Sequence, residues 1–142
     1  IFRGEADMVL GSRFASPEGP LAGGMPRWKY LANRSLTAVE NRVMRTSLSE
    51  LHTGYRAYSR HLLMGIPFLR NSLDFVFDTE VLMQAAHLGY RIAEVPAKTI
   101  YDEEASSIGL KPSIVYGLKT LGTAGRLILH RNRLWPSRKF VP

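Results

Sequence analysis

The order of apolar segments in this 142-residue chain predicts an α/β fold. Short apolar runs bounded by glycine or proline alternate with longer segments whose apolar residues recur at helical spacing. The predicted order is strand, helix, strand, helix, strand, helix, which is typical of layered α/β domains. A chain of this length suits one domain with a single core.

The first part of the chain supplies a strand, a loop and a long helix. Residues 6–11 (ADMVLG) form a short apolar run closed by a glycine, which predicts a buried strand. Residues 15–25 are rich in glycine and proline and predict a loop. Pro26 marks the start of a helix, because proline is favoured at the first helical position. The apolar residues that share one face of this helix are Trp28, Leu31, Ala32, Val39 and Val43.

Residues 49–60 (SELHTGYRAYSR) predict a turn at Thr53 and Gly54 followed by an edge strand. Burying an arginine costs free energy unless the charge is paired. We therefore expect Arg56 to meet either water or an acid such as Glu50. The stretch is either an ordinary strand with one solvated face or the wall of a pocket for an anion.

The second part of the chain supplies the remaining elements. A short helix is predicted around residues 61–64, and Asp78 is a plausible N-cap for a helix over residues 79–88. A strand over residues 90–97 and a long helix over residues 112–130 follow. One stripe of the last helix contains Ile114, Leu118, Leu121, Gly125 and Ile128.

Composition excludes several classes of site and favours anionic partners. The chain has no cysteine, which excludes disulfides, thiolate metal sites and a cysteine nucleophile. The formal net charge of +7 favours nucleic acid, nucleotides or an anionic membrane surface as a partner. No window of about 18 uncharged apolar residues exists, so the sequence predicts no transmembrane span.

The carboxyl-terminal stretch GRLILHRNRLWPSRKF alternates basic and apolar residues. A basic amphipathic helix with a tryptophan near its polar boundary is typical of an in-plane membrane anchor. A core-packing helix followed by a charged tail explains the same pattern, and both interpretations stay open. We divide the chain accordingly into residues 1–110 and a basic segment, residues 111–142.

Candidate ligand-binding residues follow the first predicted strand. Ser12 and Arg13 lie at its carboxyl end, where open α/β sheets bind ligands. Arg13 suits a phosphate, although a solvated turn is the plainer interpretation. Lys29 and Asn33 are four residues apart and share a helix face, so they form an anion cradle with Arg13 or simply a solvated surface.

Acidic residues and a histidine supply the other candidates. Asp74, Asp78 and Glu80 fall within seven residues, and helix capping with dipole complementation explains the last two. The functional interpretation is a general base or part of a metal or sugar site. His52 is either a catalyst or a packing residue.

Five motifs in order resemble family-2 glycosyltransferases, in particular the dolichol-phosphate (polyprenyl-phosphate) mannosyltransferases. The motifs are ADMVLGSRF, PLAGGMPRWKYLANRSLT, SELHTGYRAYSR, FVFDTEVLMQAAHLGYRIAEVPAKT and EEASSI, and the resemblance covers roughly residues 5–120. It implies the carboxyl-terminal portion of a GT-A (Rossmann-like) glycosyltransferase fold. It also implies transfer of a hexose, mannose or glucose, from a nucleotide-sugar to a polyprenyl phosphate, with inversion.

The resemblance implies three groups of site residues. Those that would bind the acceptor phosphate are Arg13, Lys29, Asn33 and Arg56, the last also by ordering its loop. Those that would line the reaction centre are Glu50, His52, Asp78 and Glu80. Those that would contact the donor are Ser12, Lys98, Ser106 and Ser107.

The resemblance further implies where the rest of the machinery lies. The family's nucleotide-binding half and its DxD metal motif precede the ADxVxGSR segment, and this chain contains no DxD. We expect the chain to be the acceptor half of an enzyme that uses Mg²⁺ or Mn²⁺, with no turnover by this half alone. The expected location is the cytoplasmic face of a membrane.

Two alternative functions remain open at this point. In the first alternative, the acceptor is a sugar hydroxyl rather than a lipid phosphate, and Asp78 or Glu50 acts as the base. Alternatively, the chain is a non-enzymatic basic module that binds nucleic acid or an anionic membrane, although no nucleic-acid-binding motif is recognised. Nucleic-acid affinity falls steeply with salt, which separates this case from the enzymes.

Overall fold

A computed structural model of the protein describes residues 1, 3–98 and 109–142. The strands in these ranges are β1 (Met8–Ser12), β2 (Arg56–Tyr58) and β3 (Ile92–Pro96). The helices are α1 (Gly19–Ala22), α2 (Arg27–Met44), α3 (Arg60–Gly65), α4 (Phe77–His87) and α5 (Leu110–Arg131), with 3₁₀ turns at Phe68–Arg70 and Arg138–Phe140. The predicted α/β class is confirmed.

The three strands form one small mixed sheet in the order β2-β1-β3. Strand β2 runs antiparallel to β1, with Val9 opposite Ala57. Strand β3 runs parallel to β1, with Ser12 opposite Pro96. The carboxyl ends of β1 and β3 therefore lie at the same edge of the sheet, where open α/β sheets bind ligands.

Helices α2, α4 and α5 pack against one another and supply most of the core. The central strand adds Met8 and Leu10, and the tail after α5 adds Phe140. The largest fully buried apolar side chains are Phe140, Met8, Leu10, Leu51, Leu62, Leu82, Met83 and Leu127. Segment 111–142 thus contributes to the same core as the rest of the chain.

Helix α2 turns its apolar face outward. Trp28, Leu31 and Val39 share the predicted face, but all three are exposed. The residues that α2 buries are Asn33, Thr37, Glu40 and Met44. This inversion has a polar cause, because α2 packs against a segment that carries a buried carboxylate and a histidine.

Helix α5 is also inverted relative to its apolar stripe. Ile114, Leu118, Leu121 and Ile128 of the predicted stripe are exposed. The side chains that α5 buries against its neighbours are Thr120, Thr123, Ala124 and Leu127. In the part of the chain that the structure describes, no helix is both long enough and apolar enough to span a bilayer.

The prediction that Asp78 is the N-cap of α4 is wrong. The helix begins at Phe77, and Asp78 lies within its first turn. Asp74 Oδ1 accepts a hydrogen bond from the Val76 backbone N at 3.0 Å, which forms a turn that leads the chain into the helix earlier. The helix ends as predicted before Gly89, whose φ of +81° is a conformation that glycine adopts without steric cost.

Packing at the end of α4 makes stability depend on pH. The rings of His87 and His130 lie 5.1 Å apart between centroids, with Phe140 beside them. Burial lowers the pKa of His87 below its ordinary value of 6.5, and the nearby His130 and Arg131 lower it further. The unfolded chain therefore binds this proton more tightly than the folded chain, so acid favours unfolding.

We expect the free energy of unfolding to fall as the pH is lowered from about 7.5 to about 5.5, and His87→Gln to reduce that fall. Urea unfolding at a series of pH values measures both slopes. The control is His61→Gln, because His61 is exposed. An unchanged slope in His87→Gln contradicts the assignment.

Candidate functional site

A buried carboxylate, Glu50, joins three separate segments of the chain. Its side chain is 0% exposed. Oε2 accepts from the backbone N of Arg13 at 2.8 Å, while Oε1 accepts from Arg13 Nε at 2.8 Å and from Asn33 Nδ2 at 3.0 Å. Arg13 Nη2 also donates to Oε1. The end of β1, the inner face of α2 and residues 49–55, which we call the site loop, thus meet at one carboxylate.

Ser12 shapes the turn that brings Arg13 to this carboxylate. Its Oγ accepts from the backbone N of Phe14 at 3.2 Å and of Ala15 at 3.1 Å. The same Oγ lies 2.6 Å from Ser49 Oγ in the site loop. A serine at this position therefore folds the chain back just after β1 and ties it to the site loop.

A second carboxylate, Glu94 in the middle of β3, fixes the start of the site loop. Its Oε2 accepts from the Ser49 backbone N at 2.7 Å. Its Oε1 accepts from Ser49 Oγ at 2.9 Å and from the Glu50 backbone N at 3.0 Å. Sequence reasoning missed Glu94, although an acid inside the apolar run IAEVP was a signal for a buried polar contact.

His52 lies in a buried polar cluster between α2 and α5. Its Nδ1 is 2.9 Å from Tyr116 Oη, which is 3.2 Å from Thr79 Oγ1. Its Nε2 is 3.1 Å from Glu40 Oε2, without the alignment of a hydrogen bond. Burial raises the pKa of Tyr116, so its hydroxyl stays protonated. Sequence reasoning missed Glu40, even though it follows Asn33 by seven residues and shares its helix face.

Arg56 holds the site loop by its backbone carbonyls. Its guanidinium donates to the carbonyls of Thr53 at 2.6 Å, Leu51 at 2.8 Å and Asp78 at 2.6 Å. The side chain is only 2% exposed. These three bonds place the guanidinium inside the protein, where it orders the site loop and ties it to the first turn of α4.

The two acidic residues of α4 occupy different environments. Glu80 is buried and accepts from the Ser72 backbone N at 2.7 Å and from Lys139 Nζ at 2.5 Å, which joins the loop before α4 to the tail. The Asp78 side chain is 40% exposed, and its Oδ1 lies 3.9 Å from Arg56 Nη1. Of the two, Asp78 has the carboxylate that an incoming ligand can reach.

The two lysines of the predicted site occupy different positions, and of these only Lys98 lines the cleft described below. Lys29 is one helical turn before Asn33 on the same side of α2. It is partly exposed, and its Nζ lies 5.5 Å from the centroid of the Trp28 ring. Lys98 is exposed and forms an ion pair with Glu18 at 2.8 Å.

An open cleft of about 450 Å³ lies at the carboxyl ends of β1 and β3, and two residues of the site loop line it. The Tyr55 ring lies directly over Gly11, where any larger side chain would overlap the ring. Ser106 and Ser107, the other residues expected at the donor, lie outside the described residues. The residues that line the cleft are Gly11, Thr53, Tyr55, Pro96, Ala97 and Lys98.

The described residues do not fit a metal site. Within residues 3–98 and 109–142, no group of three or more histidine, aspartate or glutamate side chains is placed to hold an ion. The two acids that hold the site loop are already occupied, since Glu50 accepts from Arg13 and Asn33 and Glu94 accepts from backbone amides. We therefore assign no metal ligand in this part of the chain.

Comparisons with known proteins find glycosyltransferases. No protein-family model matches the chain. No solved structure matches it either. A dolichyl-phosphate hexose transferase from Haloferax volcanii is 33% identical over 106 residues, which are 75% of this chain and 42% of that protein. Glycosyltransferase AglD from the same organism is 27% identical over 93 residues, 66% of this chain and 14% of that protein.

The chain thus spans about two fifths of the first relative and a smaller share of the second. Both relatives carry the name of the class that the sequence motifs resemble. The chain is similar to glycosyltransferases, one of which is named for transfer of a hexose to dolichyl phosphate.

Proposed function

We propose that this chain forms the acceptor side of a GT-A glycosyltransferase. The enzyme transfers mannose or glucose from a nucleotide-sugar to a polyprenyl phosphate, with inversion, at the cytoplasmic face of an anionic membrane. The observation that carries the proposal is the convergence of Arg13 and Asn33 on the buried carboxylate of Glu50. Arg13 Nη2 also donates to the backbone carbonyl of His52 at 3.2 Å, and residues of the same loop line the cleft. The dolichyl-phosphate hexose transferase relative supports the same class of acceptor.

The chemistry of a lipid phosphate explains why this site is basic. A phosphate monoester is already anionic at neutral pH, so it needs cations to offset and aim its charge more than it needs a base. Arginine offers a planar fork and lysine a compact point charge. Glu50 holds the Arg13 fork in one orientation, and Lys29 lies on the Asn33 side of the same cluster.

Glu50 acts in this proposal as a positioning residue. Both of its oxygens accept hydrogen bonds from charged or buried donors, so neither is available to remove a proton. Removing the carboxylate releases Arg13 and detaches the site loop from α2. His52 and Glu80, which are likewise held inside the protein, support the walls on either side.

The cleft is the proposed position of the donor. Its volume of about 450 Å³ falls in the range of small-molecule sites. Lys98 at the rim supplies a positive charge for the diphosphate, and Ser12 sets the turn beside it. A divalent Mg²⁺ or Mn²⁺, when bound in the complete enzyme, supplies Lewis acidity to the leaving diphosphate, and we assign it no residue of this chain.

A sugar hydroxyl is the second candidate acceptor. The partly exposed carboxylate of Asp78 favours it, because a hydroxyl needs a base and Asp78 is the reachable acid of α4. In the lipid-phosphate reaction this carboxylate has no proton to remove. Transfer to a hydroxyl therefore requires the Asp78 carboxylate, whereas transfer to a lipid phosphate does not.

We predict that Lys29→Met weakens the binding of a short-chain prenyl phosphate by about tenfold. Loss of one point charge near a phosphate accounts for a factor of this size. NMR titration of the chain measures the dissociation constant. The control is Arg42→Met, which removes an exposed cation from the far end of the same helix. Equal affinities in the two variants contradict the proposed phosphate position.

We predict that Arg13→Met and Glu50→Gln each lower the free energy of unfolding by about 2 kcal/mol or more, because each leaves the other charge without its partner. The double variant should lose less than the sum of the two, by at least about 1 kcal/mol. Urea unfolding of the four proteins measures the cycle. Additive losses show that Glu50 does not hold Arg13.

We predict that Asp78→Asn retains most of the transfer activity, while Lys29→Met loses about tenfold. The measurement is transfer of radiolabelled hexose from GDP-mannose or UDP-glucose to dolichyl phosphate, in membranes of cells that produce the complete enzyme containing this chain. Loss of all transfer in Asp78→Asn, with acceptor binding intact, instead identifies a hydroxyl acceptor with Asp78 as its base.

A further inference from the structure

The outward face of α5 is apolar where a solvated helix is normally polar. Val115, Leu118 and Leu121 are all exposed, while the opposite face of the helix packs on α2 and α4. Arg126 and Lys119 flank this apolar face on one side. An exposed apolar stripe bordered by cations is the pattern of helices that lie in a lipid interface.

A second group of apolar side chains projects from the segment before α4. Leu69 is 87% exposed and Leu73 is 103% exposed, values that leave these side chains with almost no contact to the protein. Phe75 is exposed as well. Single exposed leucines are common on protein surfaces, but three large apolar residues within seven positions form a patch that needs an explanation.

Three polar contacts place this segment beside α5 and the tail. Asp74, which lies between Leu73 and Phe75, accepts from Lys119 Nζ on α5. Arg70 Nη1 donates to the carbonyl of Arg138 at 2.7 Å and to that of Val141 at 2.9 Å. The apolar residues of the segment and of α5 therefore lie on neighbouring parts of one surface.

The charge around this surface favours an anionic lipid leaflet over a protein partner. Residues 109–142 contain seven lysines and arginines and no acid. Lysine and arginine near anionic headgroups each contribute about 1 kcal/mol of attraction. Trp135, which is exposed beyond the end of α5, is a residue type enriched at the level of lipid headgroups.

We infer that a two-part patch inserts into an anionic lipid surface, with the segment before α4 entering beside α5. This patch, which we call the lipid-facing patch, consists of Leu69, Leu73, Phe75, Val115, Leu118 and Leu121. The inference rests on the membrane-bound acceptor of the proposed function and names the surface that meets the membrane. Insertion of residues 69–75 sets the distance between the bilayer and the site, because α4 follows directly and carries Asp78.

The absence of cysteine allows a direct test of insertion. Leu73→Cys, Leu118→Cys and Ala57→Cys are each labelled with the environment-sensitive dye NBD. Ala57 is the control, because it is exposed on the sheet face opposite to the one on which Arg56 meets α4. We expect a blue shift and quenching by doxyl lipids at positions 73 and 118, but not 57, with phosphatidylcholine vesicles that contain phosphatidylglycerol.

Affinity for the same vesicles gives an independent measurement. The double variant Leu73→Ser with Phe75→Ser should weaken co-sedimentation with vesicles by about tenfold or more, since two large apolar side chains leave the lipid. Leu31→Ser is the matched control, because Leu31 is an exposed leucine on α2, outside the lipid-facing patch. Its affinity should stay unchanged.

Three results overturn the lipid-facing patch. Insertion at position 118 without insertion at position 73 shows that α5 alone meets the lipid. A dye response in concentrated protein without vesicles shows a contact between protein molecules. Absence of any vesicle binding overturns the patch together with the membrane location. Prenyl phosphate binding by Lys29 and hexose transfer are measured separately, so each of these results leaves the proposed transfer reaction to its own test.

Discussion

Glu50 is a carboxylate buried away from water, so hydrogen-bond donors from the protein must offset its charge. An uncompensated charge at this position costs several kcal/mol, which is a large share of the stability of a small domain. The protein meets the requirement with donors from Arg13 and Asn33, so the turn after β1, the inner face of α2 and the site loop are placed by one side chain. Glu94 then secures the same loop from the opposite side, through β3.

This constraint explains why the helix faces differ from the predicted ones. An apolar stripe normally faces the core because burial of apolar surface is the main favourable term in folding. Helix α2 instead buries Asn33 and Glu40, because Glu50 and His52 lie on that side and need polar neighbours. The sequence therefore predicts the existence and approximate bounds of α2 and α5, which depend on local spacing. It does not predict which side is buried, because that depends on contacts with the site loop.

The same distinction between local and distant contacts applies to the site. Ser12, Arg13, Glu50 and Arg56 are recognisable in the sequence because they sit in motifs next to turns or strand ends. Glu94 contacts the site loop from 45 residues away, and Tyr116 contacts His52 across 64 residues. No local pattern identifies such partners, since their role exists only after the strands and helices have come together. Of these two residues, Glu94 was the easier to identify from the sequence, because a carboxylate within an apolar strand requires a buried partner.

The polar residues buried beneath α2 and the apolar residues exposed on α5 can be explained together by one kind of ligand. An amphiphilic acceptor needs a fixed set of cations and hydrogen-bond donors for its phosphate, and it also needs a neighbouring apolar surface that keeps its chain in lipid. In the proposed enzyme, Asn33 of α2 holds Glu50 for the first of these requirements and Leu118 of α5 meets the second, while Tyr116 contacts the site loop. Tyr116 of α5 contacts His52 in the site loop, so under the proposed lipid contact we expect a displacement of α5 to move His52.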